Sequence, residues 1–122
     1  MEEKQNLFYF IGNYSDFCFQ TNWLKGLIVI NFYSQWFPDS LHIGNDFVQL
    51  AKNNSDCTFY SIDIDQSSEI ANHFSITTLP TIKFFYRHSK GIDEIETITG
   101  WNPQIQQTIQ NKIQNLKINM NF

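Results

Sequence analysis

The stretch that decides the fold is Leu27–Ser40, with the sequence LIVINFYSQWFPDS. Its first part, Leu27–Tyr33, is apolar and rich in β-branched residues, and its length and composition predict a central strand of an α/β sheet. After Pro38 the apolar residues recur every three or four positions, which predicts a helix from about Asp39 to Lys52. The residues that share the apolar face of this helix are Gly44, Phe47, Val48 and Ala51.

Strand and helix patterns alternate on both sides of this unit. Ahead of it lie a strand over residues 7–11 and a short helix that ends near Trp23. Behind it lie a strand that starts at Cys57 and a short helix around Ile70 and Ala71. Alternating strands and helices with short joints predict an α/β layer structure.

Two strands and a helix complete the pattern. The strands cover residues 81–87 and 91–99, and the joint between them is short enough only for an antiparallel hairpin. Asn102 and Pro103 predict a cap and the first position of a closing helix. Its apolar face is formed by Ile105, Ile109, Ile113 and Leu116. The order is βαβαβαββα: one domain over residues 1–122, with a mixed sheet of about five strands, four flanking helices and a short tail over residues 117–122.

Composition excludes several classes of function. The 122 residues are 42% hydrophobic, which is enough to build a packed core without disulfide or metal staples. Eight Lys and Arg residues are scattered along a chain of net charge −4, so no basic stripe predicts nucleic-acid binding. The apolar run over residues 7–11 is too short for a signal peptide or a membrane span.

The cysteines and histidines predict neither a disulfide framework nor a metal site. Cys18 and Cys57 do not form a CxxC pair, which favours a reducing, intracellular compartment and buried free thiols. His73 and His88 show no metal-ligand spacing with them. We therefore expect no cofactor and no metal.

An ordered set of short motifs carries a family resemblance. Trp36 precedes the helix that ends in Leu50–Ala51, and the later motifs are Asp63-Ile64-Asp65, Ile70-Ala71, Leu79-Pro80-Thr81, Phe84-Phe85 and Gly100. In this order and at these spacings the chain resembles the thioredoxin family over nearly its whole length. The resemblance implies the thioredoxin fold, with a cis-proline at Pro80.

The residues that carry the chemistry of that family are missing. Thioredoxins place an attacking and a resolving cysteine at the start of the helix, where the helix dipole stabilises a thiolate. Here Phe37 and Ser40 match the two cysteines, so the resemblance implies no thiol–disulfide oxidoreductase activity. Asp39 is explained as a cap or first-turn acid and Ser40 as a first-turn hydroxyl, so no catalytic residue is assigned.

Three further departures accompany this loss. Asn31 stands where the family has a buried aspartate, and Ser61 where it has the lysine that pairs with it. An unpaired buried charge is costly. Replacing both the aspartate and its lysine by neutral residues is therefore what stability favours in a chain without redox activity. Asn45 replaces the proline that kinks the family's helix.

What remains is the binding side of the site. The residues predicted to contact a protein partner, which we call the docking face, are Trp36, Phe37, Pro38, Leu41, Leu79, Pro80 and Trp101. An exposed apolar patch of this kind marks a partner surface. Pro80 is also explained as a structural turn of the fold, and Trp101 leans toward the core. In the tail, alternation predicts a strand-like segment that adds Ile118, Met120 and Phe122 as partner contacts.

These features predict a non-catalytic structural or adaptor subunit of a larger protein assembly, with no small-molecule substrate. Thioredoxin-like subunits are known in axonemal dynein, respiratory-chain and spliceosomal complexes, and the lack of a basic surface disfavours the last. An acidic N-terminus favours cytosol or cilium over mitochondrion. The alternatives are a free peptide-binding or chaperone-like module, and a weak thiol redox sensor that uses Cys18 or Cys57.

Overall fold

A computed structural model describes the chain from Gln5 to Met120, without the side chain of Met120. In this range the elements are β1 (Leu7–Phe10), α1 (Tyr14–Thr21), β2 (Gly26–Tyr33), α2 (Pro38–Asn53), β3 (Thr58–Asp63), α3 (Ser68–His73), β4 (Thr81–His88), β5 (Gly91–Thr99) and α4 (Ile105–Met120). The predicted order βαβαβαββα and the mixed α/β fold class are confirmed. None of the helices in the described range is long and apolar enough to cross a membrane.

The five strands form one mixed sheet in the order β1-β3-β2-β4-β5. β1 and β2 both pair parallel with β3, while β4 pairs antiparallel with β2 and with β5. β2 is the central strand, and Leu27–Phe32 within it are all buried. This agrees with its continuous apolar sequence, because a strand covered on both faces does not alternate between apolar and polar residues.

Two apolar clusters cover the two faces of the sheet. One lies under α2 and α4, and its members include Val29, Phe47, Leu50, Phe59, Ile105, Ile109 and Ile113. The other lies under α1 and α3 and includes Phe10, Phe17, Ile30, Phe32, Tyr60 and Ile70. Adjacent β2 residues enter opposite clusters because strand side chains alternate between faces. The predicted apolar face of α4 is confirmed, with Leu116 half-buried at its edge.

The start and the end of α4 both differ from the sequence prediction. α4 begins at Ile105, so Pro103 is not its first residue; the Asn102 side-chain oxygen instead accepts a bond from the Gln104 N–H at 2.8 Å in the preceding turn. The predicted strand-like tail is wrong for residues 117–120, because α4 continues through Met120. Residue 122 lies outside the described residues.

β1 is an edge strand and is less buried than its apolar sequence predicts. Phe10 is buried, whereas Tyr9 is 68% exposed and Ile11, just beyond the strand, is 66% exposed. The side chain of Asn13 then caps α1 by accepting the Asp16 N–H, and Asp16 accepts the Asn13 N–H in return. This reciprocal capping box fixes the turn from β1 to α1.

Candidate functional site

The candidate site lies where the central strand β2 passes into α2. The loop Ser34–Phe37 makes this connection at the carboxyl end of β2. Phe37 is the N-cap of α2 and Pro38 its first residue, and no side chain caps this helix start. Asp39 is therefore a first-turn acid and not the cap. Pro38 is favoured here because its missing N–H would have had no partner in the helix.

The Ser40 hydroxyl holds this loop in place. Its oxygen lies 2.7 Å from the Ser34 carbonyl and 3.0 Å from the Phe37 carbonyl, and it accepts the Ser34 N–H at 3.1 Å. Ser40 is 1% exposed. A hydroxyl whose one proton and lone pairs are engaged in the backbone serves structure, which agrees with its prediction as a first-turn hydroxyl.

A second hydroxyl, that of Ser34, fixes the same loop from the other side. It donates to Asp65 Oδ2 at 2.7 Å and accepts the Trp36 N–H at 3.2 Å. Sequence reasoning missed Ser34, because Asp65 lies 31 positions away and only the pairing of β2 with β3 brings the two together. The loop is thus tied to the end of β3 as well as to α2.

Trp36, Phe37, Pro38 and Leu41 project outward from this fixed loop and the first turn of α2. Trp36 is 83% exposed, Phe37 54% and Leu41 51%, and Pro38 is also exposed. Leu41 lies one helical turn after Phe37, so the two side chains share one side of α2. The structure therefore brings these four predicted residues together on the surface. Their contact with a partner stays a prediction.

Leu79 and Pro80 form the turn that leads into β4. Their peptide bond is cis, as the family resemblance implies. Pro80 is buried and Leu79 half-buried. The Pro80 carbonyl accepts the Gly100 N–H at 2.8 Å, which joins this turn to the end of β5. Pro80 thus has a structural role in this turn, in agreement with its interpretation as a structural turn of the fold.

Trp101 is held beside α2 and is half-buried. Its indole N–H donates to Asp46 Oδ2 at 3.1 Å, and its ring lies 4.5 Å from the ring of His42. It also packs against the apolar cluster under α2 and α4. Sequence reasoning missed His42 and Asp46 as its partners, although their spacing of four places both on one side of a helix.

The structure does not bring the predicted tail contacts to this site. Ile118 is 73% exposed near the end of α4. Lys117 Nζ, beside it, lies 2.7 Å from the carboxylate of Asp56, just before β3 begins. β3 starts beside the beginning of β2, so Ile118 lies at the opposite end of the sheet from Phe37. The side chains of residues 120 and 122 lie outside the described residues.

Asn31 and Ser61 lie side by side beneath α2. They are register partners on β2 and β3, and both are buried. Their adjacency is what the resemblance implies for the replaced charge pair. Asn31 Oδ1 is buried without a hydrogen-bond partner in the described range. Burying a neutral amide costs far less than burying a charge.

Neither cysteine is near the start of α2. Cys57 is 2% exposed, and burial raises its pKa to about 12, although nearby Lys117 lowers it. Cys18 is half-buried in α1, which corrects the prediction that both thiols are buried; the two are not bonded to each other. No group of three or more His, Cys, Asp or Glu residues in the described part of the chain is placed to hold a metal ion.

The sequence and the fold are similar to those of known thioredoxins. Residues 11–115 match the family model described as Thioredoxin. Thioredoxin H-type of Brassica campestris is 32% identical over 74 residues, which is 61% of this chain and 57% of that protein. The chain thus spans little more than half the length of that relative. Thioredoxin-2 of Saccharomyces cerevisiae is 30% identical over 88 residues, 71% of this chain and 81% of that protein.

Solved thioredoxin structures share the fold. That of Trichomonas vaginalis thioredoxin superposes with a TM-score of 0.84 at 19% identity, over 93% of this chain and 100% of that one. That of Fasciola hepatica thioredoxin gives a TM-score of 0.74 at 27% identity, over 91% of this chain and 98% of that one. This chain, which has no CxxC motif, therefore shares the backbone architecture of these thioredoxins.

Replacing Ser40 by alanine tests the structural role of its hydroxyl. Ser40→Ala leaves the buried Ser34 N–H without an acceptor, and we expect the free energy of unfolding to fall by about 1–3 kcal/mol. The control is Ser68→Ala, at an exposed serine in the first turn of α3, with an expected change within about 0.5 kcal/mol. Urea denaturation measures both. Equal stability of Ser40→Ala and the native protein would contradict the assigned role.

Thiol labelling tests the environment of Cys57. Because only the thiolate reacts, a pKa near 12 slows alkylation at pH 8 by about three powers of ten relative to an exposed cysteine of ordinary pKa. We expect maleimide to label Cys57 of the native chain only on unfolding in urea. Mass spectrometry of the digested protein identifies the labelled residue. Labelling of native Cys57 within minutes would revive the redox-sensor alternative.

Proposed function

Because the chain belongs to the thioredoxin family but carries Phe37 and Ser40 at the positions of the family's cysteines, we propose that it is a non-catalytic subunit or adaptor of a larger protein assembly. The observation that carries this proposal is the start of α2. Two aromatic side chains stand exposed there on a loop that buried hydroxyls fix. A soluble domain rarely keeps such a rigid apolar projection unless another surface covers it.

The proposed loss of oxidoreductase activity rests on what the site can supply. Thiol–disulfide exchange needs a thiolate that attacks one sulfur and a second thiol that resolves the mixed disulfide. Phe37 cannot attack, and the Ser40 hydroxyl is engaged with the backbone of its own loop. The relatives are named thioredoxins, but the difference in chemistry follows from these two positions.

The shape and charge of the docking face indicate the kind of partner. Trp36 and Phe37 offer large apolar side chains whose backbone is already ordered, so association loses little conformational entropy there. Tryptophan is also enriched among residues that dominate binding energy. Asp39 and Asp65 are exposed beside the aromatic pair. We expect the partner surface to be apolar at its centre and basic at its rim.

The family resemblance supplies the candidate assemblies. Axonemal dynein and respiratory-chain complexes both contain thioredoxin-like subunits. The scattered positive charge gives no support to a nucleic-acid partner.

A free peptide-binding module is the second candidate. The turn formed by Leu79 and Pro80 favours it, since Leu79 is only half-buried. In this candidate an extended peptide pairs with the backbone of Leu79. This candidate predicts measurable affinity of the isolated domain for unrelated extended peptides, whereas an adaptor binds one fixed partner. The redox-sensor alternative finds little support, because Cys57 is buried with a raised pKa.

Affinity capture of the tagged protein from its native cells tests the adaptor role. Trp36→Ala is the test variant, and Trp23→Ala, at the other end of β2, is its control. Trp36 follows β2 and is 83% exposed, while Trp23 precedes it and is 79% exposed. We expect the tagged protein to co-elute at fixed stoichiometry with a large complex. Trp36→Ala is expected to recover at least tenfold less of the complex than the native chain, because truncating a tryptophan buried in an interface weakens binding by about 2 kcal/mol or more.

Trp23→Ala controls for loss of an exposed indole as such and is expected to retain native recovery. Size-exclusion chromatography and quantitative mass spectrometry measure both variants. Elution of the native protein as a monomer of its own mass would rule out the subunit role. Equal losses in Trp36→Ala and Trp23→Ala would place the interface elsewhere than on the docking face.

A further inference from the structure

β1 forms an edge of the sheet, and among the described strands it pairs with β3 alone. The Asn6 carbonyl accepts a backbone N–H of β3 at 2.7 Å. Because successive residues of a strand direct their N–H and C=O groups to opposite sides, those of Phe8 face β3 and those of Leu7 and Tyr9 face away. The Leu7 carbonyl accepts the Gln5 side-chain amide at 3.0 Å. The N–H and C=O of Tyr9 have no partner among the described residues.

The side chains at this edge are aromatic or aliphatic. Tyr9 and Ile11 are exposed, and Leu7 is half-buried. The sequence contains no charged residue from Gln5 to Ser15. Native edge strands usually carry charged side chains, above all lysine, that prevent pairing with another chain. β1 lacks this protection.

The opposite edge of the sheet, formed by β5, carries that protection. β5 contains Asp93, Glu94 and Glu96. Each of these carboxylates forms an ion pair with a lysine or a histidine. A second strand laid along β5 would desolvate these ion pairs, which costs free energy. Of the two sheet edges, β1 is therefore the one suited to pair with another strand.

We propose that β1 pairs with β1 of a second copy of this chain, antiparallel and about a two-fold axis at Tyr9. The run Leu7–Ile11, LFYFI, reads aliphatic, aromatic, aromatic, aromatic, aliphatic in both directions. It is therefore complementary to its own reverse, as a two-fold interface requires.

The two-fold axis determines which residues meet. Tyr9 lies opposite Tyr9 of the second copy, and Leu7 lies opposite Ile11 of the second copy. Because the backbone groups of Tyr9 face outward, the two tyrosines form a hydrogen-bonded pair that exchanges two N–H···O=C bonds. Apolar cross-strand pairs of this kind stabilise a sheet, and no charge meets its own copy in this run.

The pairing ends at two chains. Each chain has one uncharged edge, and the two-fold contact uses it on both copies. The charged β5 edges, at the outer ends of the joined sheet, oppose further growth. The inference does not require the proposed adaptor role, because it concerns β1 and is tested on the purified chain alone.

Sedimentation equilibrium of the purified full-length chain measures the pairing. A contact built on one short strand is small, so we expect a reversible dimer with a dissociation constant on the order of 10–100 µM. A chain that stays monomeric up to about 1 mM would overturn the inference, because it would then bind itself with less than about 4 kcal/mol.

Charges placed at Tyr9 test the two-fold geometry. Tyr9→Lys and Tyr9→Glu each bring like charges together at the axis, and each should raise the dissociation constant at least about tenfold. An equimolar mixture of the two variants brings Lys opposite Glu and should restore the dimer to within about threefold of the native constant. Because Tyr9 is exposed, both variants should stay folded, which thermal unfolding checks.

Phe19→Lys is the matched control, since Phe19 is an exposed aromatic residue on α1. It should dimerise as the native chain does. Equal weakening in Phe19→Lys and Tyr9→Lys would show that the effect is not specific to β1 and would overturn the inference. Failure of the mixture of Tyr9→Lys and Tyr9→Glu to dimerise would overturn the pairing of Tyr9 with itself.

Amide hydrogen exchange followed by NMR tests whether backbone bonds form at the edge. Exchange of the Tyr9 N–H should slow as the protein concentration rises through the dissociation constant, because the bond to the second copy protects it. The neighbouring Phe8 N–H faces β3 in the monomer and in the dimer, so its exchange should not depend on concentration. Unchanged exchange at Tyr9 in a dimer would place the interface elsewhere and overturn the inference.

Discussion

The hydrogen bond from the Ser40 hydroxyl to the Ser34 carbonyl fixes the passage from β2 to α2, and the candidate site depends on it. Because the same hydroxyl accepts the Ser34 N–H, the loop is held at both backbone groups of one residue. Ser34 in turn binds Asp65 across the sheet. This arrangement orders the backbone of Trp36 and Phe37 while leaving their side chains in solvent. Ser40, at the position that the resemblance assigns to the resolving cysteine, thus stabilises the loop that presents Trp36 and Phe37 to solvent.

The interior beneath this loop has lost its charges but kept its polarity. Asn31 and Ser61 stand side by side where the family resemblance implies a carboxylate and a lysine. A buried ion costs several kcal/mol to desolvate, and a neutral amide and hydroxyl avoid that cost. They do so incompletely, because Asn31 Oδ1 has no hydrogen-bond donor among the described residues.

The sequence predicted the order of elements and most of their faces, because these follow from local periodicity. β2 and α4 are examples: one is continuously apolar, and the other places Ile105, Ile109 and Ile113 on one side. Helix ends were less predictable. Asn102 and Pro103 satisfy the rules for a helix start, yet their turn closes before the helix begins.

The rest of the site depends on contacts between distant residues. Alternation in the tail predicted a strand, but α4 continues through Met120 instead. Two hydrogen bonds of the site join residues far apart in sequence, one from Ser34 to Asp65 and the other from Trp101 to Asp46. Local sequence patterns do not predict such bonds. The exposed aromatic pair was predictable, because its neighbours already placed it at the start of a helix.

The most direct test of the central claim is a disulfide-reduction assay with insulin and dithiothreitol, comparing the native chain with Phe37→Cys/Ser40→Cys. The account predicts that the native chain adds nothing to the rate given by dithiothreitol alone. The double variant should form an intramolecular disulfide and accelerate the reduction, because the fold around the two positions is retained. Acceleration by the native chain, abolished by Cys18→Ser or Cys57→Ser, would contradict the claim that this family member has lost redox chemistry.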